Sequence, residues 1–271
     1  MTPTDVFLAA LIGLVAGLVG GLCGIGGSII MLPALGLVFG YHTPDGQPDP
    51  SATEYHLYMA SAMLVNMVVA GTALRAHFKA GAIDWRIVLR LLPPMAGAIL
   101  FGVVLGDTLP GRIPELVLIG FLFLYAAWTL FTAIRKLPEP APDQQRATTI
   151  RVGSIGLVTG FGAGFLAIGG GIIMVPAMQL LARVPLRRAI AASAAAMCVA
   201  SPIGAVMKFS RLSEHGLSWK SALMLGLSMA LGASIGSPMG ARLTHKLKLP
   251  HLRLAVAIVL AVSGIKLIGV V

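Results

Sequence analysis

Charged residues make up only 11% of the 271-residue sequence, and aromatic residues only 6%. Apolar residues make up 57%, and the mean hydropathy is +0.90. Soluble domains carry about 25% charged residues, so this chain has too few charges to cover a surface in contact with water. The composition excludes an ordinary soluble domain and indicates a protein whose solvent is the lipid bilayer.

Cysteine is also scarce. Cys23 and Cys198 are the only two, and both lie in apolar stretches. They form no disulfide framework, and the six histidines, scattered in loops or at loop edges, show no metal-ligand spacing. We therefore expect no metal site and no cofactor.

The formal net charge is +10. The basic residues form short clusters between apolar segments, where membrane orientation and anionic lipid head groups account for them. We expect membrane lipid as a partner and no nucleic acid.

The apolar residues fall into ten segments, five in each half of the chain. They predict an all-α polytopic membrane protein, because a spanning helix needs about 20 apolar residues. The predicted segments are 5–23, 28–40, 57–75, 87–106, 114–134, 150–167, 171–182, 188–207, 219–241 and 252–270.

The two halves repeat one another. The segment from Gly24 to Ala34, GIGGSIIMLPA, returns as AIGGGIIMVPA from Ala167 to Ala177. Further matches follow in the same order: Ala60-Ser61 with Ala192-Ser193, Trp85 with Trp219, and Pro114 with Pro250. This order indicates duplication of one bundle.

The polar, proline-containing stretch between the halves is typical of a surface linker. We predict a first membrane repeat at 1–135, a cytoplasmic linker at 136–149 and a second, inverted repeat at 150–271. Five segments per half place the halves in opposite orientations. Most Lys and Arg residues lie in loops on the linker side and the 41–56 loop has none, although the 208–220 loop is more basic than inversion requires.

The second segment of each half is too short to cross a bilayer, and each begins at a run of glycines. We therefore predict broken or short helices whose free N–H groups form an anion site without formal charge. The residues predicted to bind the anion through these loops are Gly24, Gly26, Gly27, Ser28, Gly169, Gly170 and Gly171.

Apart from Asp5 and Glu115 at the segment ends, no Asp, Glu or His lies inside any predicted segment, which argues against a cation pump. Ser61, Asn66, Ser193 and Cys198 occupy equivalent places in the two halves. They are candidates for a polar lining, and the alternative is that they bond across helices.

Arg75 and Lys208 lie at segment ends, where they serve either membrane orientation or a gate at the pathway mouth. The spaced small residues are predicted to pack helices, and two tryptophans at segment starts to anchor the chain at the head groups. The residues concerned are Ala98, Gly102, Gly106, Gly232, Gly236, Gly240, Trp85 and Trp219.

The paired motif, Gly24 to Pro33 and Ala167 to Pro176, resembles the TauE/SafE-type sulfite exporter family over essentially the whole length. The resemblance implies a bacterial inner-membrane secondary transporter for sulfite, organosulfonates or related two-carbon compounds. The copies differ at Gly24 against Ala167 and at Ser28 against Gly171, so two equal half-sites do not follow. The substrate, the direction of transport, the oligomeric state and the coupling ion, proton or sodium, stay open.

Two alternatives remain at this point. A passive anion channel would use the same helix ends for selection. An intramembrane enzyme would need a nucleophile with a base, and Cys23 beside the first glycine loop is the only candidate nucleophile.

Overall fold

The structure is a computed structural model that describes residues 1–39, 54–106, 112–135, 145–166 and 169–268. Within these ranges the chain forms ten α-helices and a short 3-10 helix, with no strand. The α-helices are α1 (Pro3–Cys23), α2 (Ser28–Phe39), α3 (Glu54–Lys79), α4 (Trp85–Gly106), α5 (Arg112–Ile134), α6 (Thr149–Leu166), α7 (Gly171–Ala182), α8 (Leu186–Arg211), α9 (Trp219–Lys246) and α10 (Leu249–Ile268).

Five of the described helices are long and apolar enough to cross a membrane. They are Pro3–Cys23, His56–Lys79, Trp85–Leu105, Leu186–Glu214 and Trp219–Lys246. Phe123–Ile134, Gly171–Ala182 and Leu249–Val262 are shorter apolar helices. The chain is an all-α, multi-pass membrane protein, as its composition predicts.

Local sequence sets several helix ends. Thr2 and Asp5 form a capping box at the start of α1, with Pro3 in its first turn. The Asp84 carboxylate accepts a hydrogen bond from the Arg86 N–H at 3.0 Å and so fixes the start of α4.

α1 packs along α9 through glycines, and the two helices run in the same direction. A Cβ atom placed on Gly13 would lie 1.9 Å from the Met229 carbonyl oxygen, and one on Gly232 would lie 1.8 Å from that of Ala10. α4 and α6 pack in the same way, with Gly102 against the Phe161 carbonyl. These contacts confirm helix packing as the role of Gly102, Gly232, Gly236 and Gly240.

α3 also runs parallel to α9. The Ser61 hydroxyl donates to the Ala222 carbonyl at 2.9 Å, and the Ser237 hydroxyl donates to the Val69 carbonyl at 2.6 Å. We call the end of the bundle where α1, α3 and α9 begin the first end. The second end is where α3 and α9 finish and where α4, α6 and α8 begin.

The chain reverses at each glycine loop, so α1–α2 and α6–α7 are helical hairpins. Phe39, at the end of α2, lines a cavity with Met1 and Leu57 at the first end. The Arg146 N–H, just before α6, donates to the Ala182 carbonyl at the end of α7 at the second end. The hairpins therefore enter the bundle from opposite ends.

The helix pairs that pack together match when the two halves are exchanged. α1 packs on α9 as α6 packs on α4, and α3 packs on α9 as α8 packs on α4. This packing agrees with a duplicated bundle, while inversion relative to the membrane stays a prediction. Linker residues 136–144 lie outside the described residues, and α6 begins at Thr149, beside the boundary predicted at 150.

Candidate anion site at the hairpin tips

The first hairpin tip, residues 24–27, needs glycine because its backbone turns sharply. Gly24 has φ 67° and Gly26 has φ 76°, a left-handed conformation that side chains with a Cβ atom rarely adopt. The Gly24 N–H closes the end of α1 by donating to the Gly20 carbonyl at 2.8 Å. α2 then starts at Ser28, beside α1 rather than beyond it.

The second hairpin tip is formed by Gly169 and Gly170, with φ values of 74° and 77°. The preceding two residues, Ala167 and Ile168, lie outside the described residues. Gly170 is the N-cap of α7 and has no side chain to accept a hydrogen bond from the first turn. The tip therefore presents main-chain N–H groups without a side-chain cap.

Asn66, in the middle of α3, binds the first tip. Its Oδ1 accepts a hydrogen bond from the Gly27 N–H at 2.8 Å, and its Nδ2 donates to the Ser28 hydroxyl. Asn66 and Ser28 are fully buried. The amide thus caps α2 from another helix and holds the tip in the bundle.

The two tips meet in the interior. A Cβ atom on Gly171 would lie 2.3 Å from the Gly24 carbonyl oxygen, and one on Gly169 would lie 2.7 Å from the Asn66 Nδ2. The buried Ser193 hydroxyl, from α8, donates to the same Gly24 carbonyl at 2.6 Å. The structure therefore brings both predicted loops together with Asn66 and Ser193.

The electrostatics of this meeting point come from dipoles. α2 and α7 each direct an N-terminus, with its partial positive charge, toward the tips. The residues that meet there carry no formal charge: Gly24, Gly26, Gly27, Ser28, Gly169, Gly170, Gly171, Asn66 and Ser193. Such an arrangement can stabilise an anion through N–H, hydroxyl and amide donors.

Two other residues predicted to line the site lie elsewhere. The buried Ser61 hydroxyl donates to the carbonyls of Leu57 and Ala222, which makes it a link between α3 and α9. Cys198 is half-buried on α8, and its neighbour Met197 is the residue that approaches Gly169. Ser61 therefore bonds across helices, which is the alternative raised for these positions.

The two predicted pathway cations differ in environment. Arg75 is exposed on α3, whereas Lys208 is 3% exposed near the end of α8. Arg253, at the start of the segment predicted at 252–270, is 6% exposed and donates to the Thr132 carbonyl at 3.1 Å. Its burial follows from the packing of α10 on α5, which no local pattern reveals.

One histidine expectation is wrong. His77 and His245 are not scattered at loop edges, because α3 and α9 extend beyond the predicted segments and include both residues. Their rings meet, with His77 Nδ1 2.9 Å from His245 Nε2. Since 168 residues separate them, their proximity depends on the parallel packing of two helices.

Hairpins that enter from opposite ends and meet at uncharged helix N-termini define the architecture of a membrane transport protein. The family model for the sulfite exporter TauE/SafE matches residues 9–267. The chain belongs to this family.

Several relatives are described as probable membrane transporter proteins. MJ0441 from Methanocaldococcus jannaschii is 24% identical over 95% of this chain and 93% of its own length. YunE from Bacillus subtilis is 25% identical over 96% of both chains.

MamO from Paramagnetospirillum magneticum is 27% identical over 97% of this chain. The chain covers only 44% of that protein's length, and 45% of the MamO protein from Magnetospirillum gryphiswaldense.

Proposed function

We propose that this protein is a secondary transporter that moves a small anion, such as sulfite, an organosulfonate or a related two-carbon compound, across the bacterial inner membrane. The observation that carries the proposal is the meeting of two oppositely entering hairpin tips around the buried Asn66. Membership of a transporter family supports it, and so does the description of that family as sulfite exporters.

The anion would lie between the tips, where the N-termini of α2 and α7 supply partial positive charge. Asn66 Nδ2 and the Ser28 hydroxyl are the nearby side-chain donors, and the Ser193 hydroxyl becomes a third when it leaves the Gly24 carbonyl. Because the hairpins enter from opposite ends, movement of either one would expose the tips to one side of the membrane. This is the geometry of alternating access.

The test is counterflow of radiolabelled sulfite in proteoliposomes, with a Gly27→Leu plus Gly170→Leu double variant. A Cβ on Gly27 would lie 2.3 Å from Met31 Cε, and Gly170 has φ 77°, so both substitutions disturb the tips. A Gly71→Leu plus Gly153→Leu variant is the matched control, because a Cβ at either position meets nothing within 4 Å.

We expect saturable counterflow in the wild type and in the control. We expect it to be lost in the tip variant, provided that this variant folds. Equal counterflow in all three proteins would refute a site between the tips. Flux that neither saturates nor shows counterflow would indicate a passive channel instead of a carrier.

A further inference from the structure

The pair formed by His77 and His245, the histidine pair, is a buried polar contact outside the anion site. The ring centroids lie 5.1 Å apart at an interplanar angle of 73°, and the facing nitrogens lie 2.9 Å apart. His77 is fully buried, and its Nε2 has no hydrogen-bond partner among the described residues. The pair joins the last turns of α3 and α9 at the second end.

The distance between His77 Nδ1 and His245 Nε2 limits the protonation states that the two rings can have. A hydrogen bond between two imidazoles needs one N–H donor and one bare nitrogen, so at least one ring is uncharged. If each ring is neutral and His77 Nδ1 donates, His77 Nε2 carries no proton. This tautomer leaves no buried N–H without a partner, which favours it over the reverse.

No carboxylate faces the pair from the helices packed around it. Glu54 is the only acidic residue of α3 and Asp5 the only one of α1, and both lie at the first end. α8 and α9 contain no acidic residue. Asp84, in the turn after α3, instead caps α4 through the Arg86 N–H.

The other charged groups near the pair are basic. Arg187 of α8 lies close enough to His245 for its charge to act on that ring, and its Nη2 donates to the Leu247 carbonyl at 2.6 Å. From α1, the titratable side chain at this end is Cys23, which is buried. The remaining cations on these helix ends, Arg75, Lys79, Arg188, Arg242 and Lys246, are exposed.

A thin apolar layer separates the histidine pair from the hairpin tips. Ala73 of α3, Ala194 of α8 and Ala241 of α9 form a buried cluster, which we call the alanine layer. Ala73 lies one turn before His77, and Ala194 directly follows Ser193. The same three helices therefore connect the second end with the tips.

The pair is also connected to the first hairpin. Thr244, next to His245, donates its hydroxyl hydrogen to the Leu22 carbonyl in the last turn of α1 at 2.7 Å. The first hairpin tip begins two residues later, at Gly24. A displacement of the end of α9 would therefore act directly on the hairpin that carries the tip.

We propose that the histidine pair is a proton-binding site that gates the anion site from the second end of the bundle. This proposal rests on the proposed function, because a gate requires an anion that passes it. In the closed gate both rings are neutral, and their N–H···N contact lies against the alanine layer. Uptake of one proton by each ring, from solution at that end, leaves two N–H groups facing each other and breaks the hydrogen bond.

The protonated pair and Arg187 would place three positive charges on three neighbouring helices without a carboxylate to balance them. Repulsion would separate α3, α8 and α9, and the same charges would attract an anion into the opening. Deprotonation would release both protons and restore the neutral N–H···N contact. The gate therefore opens when the second end becomes acidic.

The test measures the separation of α3 and α9 without any anion. Spin labels at Lys79→Cys and Lys246→Cys, in a Cys23→Ala and Cys198→Ala background in nanodiscs, report this distance by double electron–electron resonance. We expect a larger separation at about pH 4 than at about pH 8, because two adjacent buried imidazoles beside Arg187 take up a second proton only under strongly acidic conditions. A variant with His77→Gln and His245→Gln should keep the short distance at both pH values.

The variant His251→Gln is the control, because His251 is exposed on α10 and lies outside the pair. It should behave as the wild type does. A wild-type distance that does not change with pH would overturn the proposal, and so would an equal change in the double glutamine variant. A single His77→Gln variant serves if the double variant does not fold.

Sulfite counterflow at equal pH on both sides distinguishes failure of the gate from failure of the proposed function. A pH-dependent distance in a protein that moves no sulfite would support the gate and count against sulfite as the substrate. Counterflow with a pH-independent distance would support the transporter and refute the gate.

Discussion

Asn66 accepts a hydrogen bond from the Gly27 N–H at 2.8 Å, and it thereby ties the middle of α3 to the start of α2. The equivalent position in the second half is Cys198, which has no amide to cap α7. The first tip is thus held by a side chain from another helix, whereas α7 starts without a side-chain cap. Two halves of similar sequence therefore make an asymmetric site.

The Asn66 contact predicts a large difference between two equivalent substitutions. Asn66→Ala leaves the Gly27 N–H and the Ser28 hydroxyl without this partner in a buried site, at about 1–3 kcal/mol for each unsatisfied group. Cys198→Ala removes no such bond and should cost less. Thermal unfolding in detergent would compare them, and equal losses would show that the Asn66 bonds contribute little to stability.

Close contact of the tips predicts that Gly171→Ala is destabilising by about 1–3 kcal/mol, as expected for overpacking. The new Cβ would lie 2.3 Å from the Gly24 carbonyl oxygen and 2.8 Å from the Ile25 Cα, and neither is a flexible side chain. Sulfite counterflow should fall with it.

The matched control is Gly153→Ala in α6, where a Cβ meets nothing within 4 Å. That change should stabilise the helix by about 0.5–1 kcal/mol. Chemical unfolding measures both variants. If Gly171→Ala were as stable as Gly153→Ala, the tips would not touch as the structure shows.

The environment of Thr159 predicts that a substitution beside the second tip stabilises the protein. The residue is fully buried, its hydroxyl has no partner among the described residues, and its methyl group would lie 3.2 Å from a Cβ on Gly170. Thr159→Val keeps the shape and removes the unsatisfied hydroxyl, which should raise stability by about 1 kcal/mol. Thr159→Ser keeps the hydroxyl and should not stabilise. A loss of stability in the valine variant would reveal a partner for that hydroxyl.

Helix positions could be predicted from the sequence because they depend on local composition. The sequence predicts the second and seventh segments at 28–40 and 171–182, and the helices are Ser28–Phe39 and Gly171–Ala182. Apolar runs set the spans, and glycine runs mark the breaks, since only glycine adopts the left-handed turns at Gly24 and Gly170 at low cost.

The remaining features depend on contacts between distant segments. A glycine break does not reveal whether the chain continues across the membrane or turns back, and here α2 turns back along α1. The meeting of His77 with His245 and the burial of Arg253 likewise follow from helix packing. Asn66 and Gly27 could each be singled out as candidates from the sequence, but the hydrogen bond between them could not be predicted.

The last prediction concerns how the two ends of the bundle face the membrane. The second end gathers basic residues such as Arg86, Arg90 and Arg188, so the positive-inside rule places it in the cytoplasm together with the linker. The exposed residues Lys220, at the first end, and Lys79, at the second, are suitable labelling positions.

In a Cys23→Ala and Cys198→Ala background, a membrane-impermeant maleimide should label Lys220→Cys in intact cells. It should label Lys79→Cys only after the membrane is disrupted. The reverse pattern would place the linker outside and invert the direction in which the histidine pair senses acid. Labelling of both positions from the same side would contradict a bundle whose two hairpins enter from opposite faces of the membrane.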